Sequence, residues 1–409
     1  MHPDVVILRA LARDYAAAAA APRNDACRAL HRACNDLRMI RPVVLIDEIP
    51  WPQMDLDGSL TCRCWDPLFR DIEWGLRSRL FKFRHFPADM ILPPHVSVPK
   101  VVHSTGIGIQ TQEEILKSAD PTTIVSHAYV DQLKDEADLE KLTFPTLTYD
   151  AEQTRAMWNR VGEAIGDILP VRMVGRTSLG INTWDDIPRY HGVENIFIDL
   201  IDRPAFMHAL VRRITAIKMH ELAQCEALGL LDTGPETLHC TPALVSDLPG
   251  EVGDSVTRKN IWGRGMAQIF GSVSAAMHEE FDIAYMIDTI GTCGLAYYGC
   301  CEPLHNKVDI VAKIPNLRKI GCTPWADTEA EAEAVGKRFV LSVKTNPAAV
   351  AVPRLERDVL RREISRILDA CRRHGCSCDI TLKDISTCCN RPENLVEWEQ
   401  TVMEMVRNA

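Results

Sequence analysis

From about residue 150 the chain keeps one rhythm, in which a helical stretch, a short loop and a compact apolar run repeat. AEQTRAMWNRVGEAIGDIL (151–169) has helical spacing, and VRMVG (171–175) follows as a strand. A long helix is expected over 203–228, with Asp202 as its N-cap, Pro204 in its first turn and Gly229 at its end. ETLHC (236–240) reads as a strand, 273–284 as a helix and GLAYYGC (294–300) as a strand. KVDIVAKI is a short helix before the strand LRKIGC (317–322). Helices near 328–336, 355–373 and 391–407 then alternate with RFVLSVK (338–344) and CDITLKDI (378–385). Strands joined this way run parallel, because each is regained only through a crossover. The expected fold class is α/β, and the units suffice to close a (β/α)8 TIM barrel.

The first 150 residues read as an N-terminal extension with the first barrel elements, and 151–409 as the barrel body, all in a single domain. The first 40 residues are helical with a break at Pro22. VVLIDEI (43–49), ended by Pro50, is a strand, and 68–82 has helical periodicity. Residues 85–149, rich in proline, threonine and β-branched residues, read as irregular structure with a β-hairpin.

The totals exclude some functions. A net charge of −10 argues against nucleic acid, which needs a basic face. No apolar run approaches the roughly 18 residues that span a bilayer. The run Ala16–Ala21 lies in a helical context behind Asp4 and Asp14, so an export signal is not expected and a cytoplasmic protein is. There the fifteen cysteines would be reduced thiols. A homodimer is compatible with these totals.

Barrel chemistry sits at the carboxyl ends of strands, and unusual side chains gather there. His239 and Cys240 end one run, Cys300, Cys301 and Glu302 another, and Cys322 a third, followed by Trp325 and Asp327. Lys344 and Asn346 close the next, and Lys383 and Asp384 the last, followed by Cys388 and Cys389. Thiolate, imidazole and carboxylate are the ligands of zinc, and a catalytic zinc keeps one position open. Cys300, Cys301, Glu302 and His239 can supply that set. Neighbouring side chains alternate along a strand, so the adjacent thiols face one way only if the strand end turns. MHEEF (277–281) is not the zinc-protease H-E-x-x-H, and no Walker loop or serine nucleophile elbow is present.

AQIFGSVSAAMHEEFDIAYM, YYGCCEPLHNKVDIVAKIPNLRKIGCTPWADTEAEAEAVGKRFVLSVKTNPAAVA and DITLKDISTCCNRPENLVEW, taken in order, resemble the uroporphyrinogen decarboxylase superfamily, in its corrinoid-dependent methyltransferase-like branch. The resemblance is dense over 190–409 and thinner in PVVLIDEIPW and DIEWGLRSRLFKFRHFPAD. It implies a (β/α)8 barrel. Porphyrinogen decarboxylases hold substrate carboxylates with an arginine-rich segment. RPVVLIDEIPWPQM has only Arg41 there, with Asp47 and Glu48 where cations would stand. The methyltransferase branch holds zinc with an H-x-C pair and a later cysteine. That pair falls on Gly299-Cys300-Cys301, so the cysteine carries over as Cys301 and the histidine does not. The later cysteine has no clean match, which leaves Glu302, His239, Glu280 or Cys388 to complete the set.

The implied activity is zinc-dependent methyl transfer between a small methylated substrate and a separate corrinoid protein that supplies the cobalamin. Lys344, Lys383 and Asp384 are the expected catalytic residues. Trp325, Asp327, Asn346 and Asp247 are expected to bind or orient substrate. The rival expectations are a metal-independent decarboxylase of a small acid and a non-catalytic binding module.

Overall fold

A computed structural model describes residues 2–55, 57–116, 126–248 and 256–408. Its centre is a seven-stranded parallel sheet: β1 Val43–Ile46, β2 Ser178–Ile181, β3 Trp262–Gly265, β4 Leu295–Tyr298, β5 Leu317–Cys322, β6 Val340–Thr345 and β7 Ser377–Leu382. The spatial order is β1-β7-β6-β5-β4-β3-β2. From β2 to β7 each strand lies beside its predecessor in sequence, and β1 is added next to the last. No ladder joins β1 to β2 among the described residues. The sheet draws on both sides of residue 150, because β1 pairs with β7.

Helices cover one face. Arg357–His374, between β6 and β7, buries Leu360, Ile364, Ile367, Leu368 and Cys371, spaced at three or four residues. Its last turn carries Arg372, Arg373 and His374, and Gly375 (φ 70°) ends it in the left-handed conformation that a side chain would strain. Glu393–Arg407 packs against this helix and β1. The shared core includes Val44, Ile46, Ile320, Leu341, Val343, Ile380 and Leu382. The opposite face is more polar. Lys319, Ser342, Lys344, Asp379, Thr381 and Lys383 alternate with those apolar residues and are buried too.

Several expectations need correction. ETLHC is not a strand: residues 238–244 form an irregular segment on the polar face, with one antiparallel bridge between Thr237 and Pro242. Its backbone is held by distant side chains, which local sequence does not reveal. Val171–Val174 is a strand, but it pairs with Val96–Pro99 outside the main sheet. SLGI and WGRG, unassigned from sequence, supply β2 and β3; they are four residues long and hold glycines, which strands usually avoid. Asp202 ends the helix Val193–Asp202, and the next helix, Pro204–Ala227, has Arg203 at its N-cap with no side-chain cap. The 85–149 region holds two antiparallel ladders, Val101–Ser104 with Leu147–Asp150 and Glu113–Leu116 with Ser126–Tyr129. Among the described residues no helix is long and apolar enough to cross a membrane. All fifteen cysteines are free thiols.

Glu331, on the helix Thr328–Val335, is fully buried, and neither carboxyl oxygen meets a nitrogen or oxygen partner. Burial pushes its pKa up to about 8, with the Cys322 thiol working the other way. The folded chain therefore keeps a proton that the unfolded chain releases near the ordinary carboxyl value. The contribution to stability is whole below that value and is lost as pH rises through about 8, by at most about 1.4 kcal/mol per pH unit. Glu331→Leu should gain stability over wild type in urea unfolding, with the gap widening between about pH 5 and pH 8. A gap that stays constant with pH would show the carboxyl is ionised in place.

Candidate metal and thiol site

The site is built where β1, β4 and β7 end and the 238–244 segment crosses the polar face. Two lysines, one aspartate and two hydroxyls set its base. Asp379 of β7 accepts from Lys319 Nζ of β5 at 3.0 Å and from Ser342 Oγ of β6 at 2.7 Å, and its second lysine, Lys344, lies 4.0 Å away. Thr241 joins them, donating to Asp379 at 3.0 Å, accepting from Lys319 at 2.8 Å and touching Ser342 at 2.8 Å. The same lysines grip the backbone: Lys319 Nζ donates to Pro242 O and Lys344 Nζ to Cys240 O. Asn35 donates to the carbonyls of Pro242 and Leu244, and Trp262 to that of Ala243.

This grip holds an unfavourable backbone. His239 (φ 36°) and Cys240 (φ 56°) both lie in the left-handed region, as do Glu48 (φ 47°) after β1 and Asp384 (φ 56°) after β7. Four of the nine such non-glycine residues described in the chain thus meet at one place. Each costs on the order of 1–3 kcal/mol and persists only where its surroundings fix it, a pattern common at active sites.

The side chains so presented are chemically matched to a metal. One ligand atom each from Glu48, His239 and Cys240 lies within 4.8 Å of the others. Tetrahedral zinc, with bonds of about 2.0–2.3 Å, sets its ligands about 3.3–3.8 Å apart, so small rotations would close the set. The carboxylate, imidazole and thiol can hold a metal ion, and the donor chemistry is compatible with zinc.

A second thiol centre touches the first through His239. At Gly299 (φ 110°) the chain turns, so both neighbouring thiols face the same space, with Cys300 Sγ and Cys301 Sγ 3.6 Å apart. His239 Nε2 is 3.2 Å from Cys300 Sγ, Lys383 Nζ is 3.6 Å from it, and Cys301 Sγ is 3.7 Å from Asp384 Oδ2. The hydrogen bond from Cys301 lowers the Cys300 pKa; burial opposes this, and His239 and Lys383 lower it further. Cys301, as the donor, is pushed up. Burial works to lower Lys383, but the Cys300 thiolate and Asp384, 2.8 Å away, raise it, so the ammonium stays charged. Lys383 also lies 3.6 Å from Glu48.

The remaining expected residues lie apart from this cluster. Glu302 is buried and turned back, one oxygen accepting from Ala267 N–H at 3.0 Å and the other from Cys300 N–H at 3.1 Å. Burial pushes it up to about 7. Lys344 is buried beneath Cys240, and burial lowers its pKa. Asp247 pairs with Arg318. Asp327 caps the helix Thr328–Val335, Asn346 caps the turn at Pro347–Ala349, and Trp325 is exposed. Glu280 pairs with His208, and Cys388 is tied to Gln53. Cys240 was not among the expected ligands, and neither was Glu48. The signal for Glu48 is position, since it lies two residues past the apolar run VVLI at a strand end.

Two measurements test this geometry. Asp379→Asn strips two buried lysines of their carboxylate and should lower the unfolding free energy by about 3–5 kcal/mol, more than a Lys319→Met/Asp379→Leu double variant that removes charge from both sides. Near-equal losses would mean the network is solvated. Ultraviolet thiolate absorbance at about pH 6 should be present in wild type, missing in Cys300→Ser and displaced to higher pH in Lys383→Met. Absorbance that starts only above about pH 8 would rule out the lowered Cys300. Compared with protein-family models and with curated proteins, the chain matches none.

Proposed function

We propose that this chain is a zinc-dependent methyltransferase of a cobalamin-linked system, built on a (β/α)8-type barrel in the cytoplasm. The observation that carries the reading is the meeting of Glu48, His239 and Cys240 with the Cys300–Cys301 pair and Lys383 at the strand ends. The strand order supports the barrel, because β1 lies beside the last strand and every other neighbour is sequential, as in a sheet wound in one direction.

In this reading Glu48, His239 and Cys240 would hold the zinc, which would supply Lewis acidity toward a methoxy oxygen. The C–O bond of the methylated substrate breaks with its electron pair staying on oxygen. The reduced corrinoid of a partner protein would supply the nucleophile that accepts the methyl group, and the freed oxygen would take its proton from water. Negative charge therefore develops on oxygen beside this chain's cations. Lys383 keeps its proton and serves as a fixed positive charge. Lys344, covered by the Cys240 carbonyl, acts by placing that residue. The Cys300 thiolate, 3.2 Å from His239, orients the imidazole.

The test is metal content after anaerobic purification, followed by methyl transfer from methoxylated acids to cob(I)alamin. Wild type should carry close to one zinc per chain. His239→Ala and Cys240→Ser should carry almost none and lose the transfer, whereas Cys301→Ser should keep most of its zinc. Wild type that binds no zinc when it is supplied would overturn the reading. Zinc lost in Cys301→Ser but kept in Cys240→Ser would move the ligand set to the Cys300–Cys301 turn.

A further inference from the structure

The cations on the seven strands are paired with one exception. Lys319 and Lys344 share Asp379, Arg318 pairs with Asp247, and Lys383, one residue past β7, pairs with Asp384. Arg264, in β3, has no ion pair and no hydrogen bond among the described residues. It is half-buried, so its guanidinium is partly removed from water without an acceptor to replace it.

Its surroundings keep a space open. Arg264 is in register with Gly180 of β2 on one side and with Tyr297 of β4 on the other. It therefore stands on the polar face with Tyr297 and Lys319. A Cβ at Gly180 would lie 4.0 Å from Arg264 Nη2, so the guanidinium reaches over a residue with no side chain. The Tyr297 hydroxyl beside it is fully buried and also has no partner. Two unpaired donors on neighbouring strands thus share one face. Both lie toward the thiol centre: Arg264 and Cys300 act electrostatically on the same two groups, Tyr297 and Asp185.

We propose that Arg264 anchors a carboxylate of the substrate, so that the site takes small methylated monoacids. A guanidinium presents two parallel N–H groups that match a carboxylate, and the match is bidentate and directional. The surroundings favour a single negative charge. One guanidinium balances one carboxylate, and with Asp185 also near it a dianion such as phosphate would keep more unbalanced charge there than a carboxylate. The Gly180 gap also suits a flat group. This inference rests on the methyl-transfer reading, since it supplies that reaction's missing contact for the non-reacting end of the substrate, where binding energy positions the reacting carbon.

The experiment compares acids with their uncharged amides by calorimetry. The probes are methoxyacetate with 2-methoxyacetamide and 3-methoxybenzoate with 3-methoxybenzamide, titrated into the full chain with and without supplied zinc. At least one acid should bind wild type about tenfold or more tightly than its amide. Arg264→Gln should erase that preference while keeping its zinc, and Arg264→Lys should restore part of it. Gly180→Leu, which fills the space without altering charge, should weaken acid and amide together. Equal binding of acid and amide, no binding of either acid, or an acid preference that survives Arg264→Gln would each overturn the proposal.

The two readings fail separately. Acid binding without zinc uptake would leave Arg264 as the anchor and remove metal-assisted transfer. Zinc uptake without acid preference would do the reverse. A decarboxylase would use the same anchor, so release of carbon dioxide from the bound acid, against methylation of cob(I)alamin, separates the chemistries.

Discussion

The contact on which the rest depends is the buried trio of Lys319, Asp379 and Lys344. Its side chains come from three adjacent strands and are at most 2% exposed. Removing three charges from water costs several kcal/mol per ion, and the return depends on complete pairing. Here it is nearly complete. Asp379 accepts from a lysine and two hydroxyls, and both ammonium groups also reach backbone carbonyls. An apolar trio of the same volume would hold the strands together as well. It would not hold residues 238–244, whose carbonyls need donors because the segment has no ladder of its own. The network thus serves placement: it makes a strained backbone at His239 and Cys240 the best available state.

The same network divides the lysines at neighbouring strand ends. Lys344 and Lys383 close β6 and β7 on the same face, yet their environments drive them in opposite directions. Lys344 is enclosed with one distant carboxylate, and burial lowers its pKa. Lys383 is also mostly buried, but it faces the Cys300 sulfur, Asp384 and Glu48, and is raised. A fixed positive charge therefore stands at the rim while the lysine below it is spent on structure. The pair of groups pushed apart in this way marks the rim, and not the interior, as the chemical end of the face.

How much of this was legible in the sequence follows from where each signal lies. β5, β6 and β7 are apolar or β-branched runs between clear helices, so their positions could be read directly. β2 and β3 could not, because SLGI and WGRG are short, glycine-bearing and held by neighbours far away in sequence. ETLHC failed in the other direction: it has strand-like spacing, but long-range donors from Lys319, Lys344, Asn35 and Trp262 decide its path. The strand-end rule directs attention to His239, Cys300, Cys301, Lys383 and Asp384, which the structure places in one cluster. It cannot tell which way a side chain turns once the strand has ended. Glu302, three residues past Gly299, faces the backbone donors of Ala267 and Cys300 and leaves the rim.

That turn also decides what can stand just before the two thiols. A side chain at 299 would begin in the left-handed region, with its Cβ 2.9 Å from Leu304 Cδ1 and 3.1 Å from the Gly321 nitrogen. Leu304 can yield, but the β5 backbone at Gly321 would have to give by a few tenths of an ångström and the positive φ strains any side chain, so position 299 disfavours imidazole. The imidazole beside these thiols comes instead from the 238–244 segment, as His239, 3.2 Å from Cys300. This separate origin has a geometric consequence. A histidine on the same strand end would share the backbone of the thiols and move with them. His239 is positioned independently, through carbonyls gripped by Lys319 and Lys344. The glycine that lets two adjacent thiols face one space and the ion network that delivers the histidine are therefore two halves of one solution, and neither builds the site without the other.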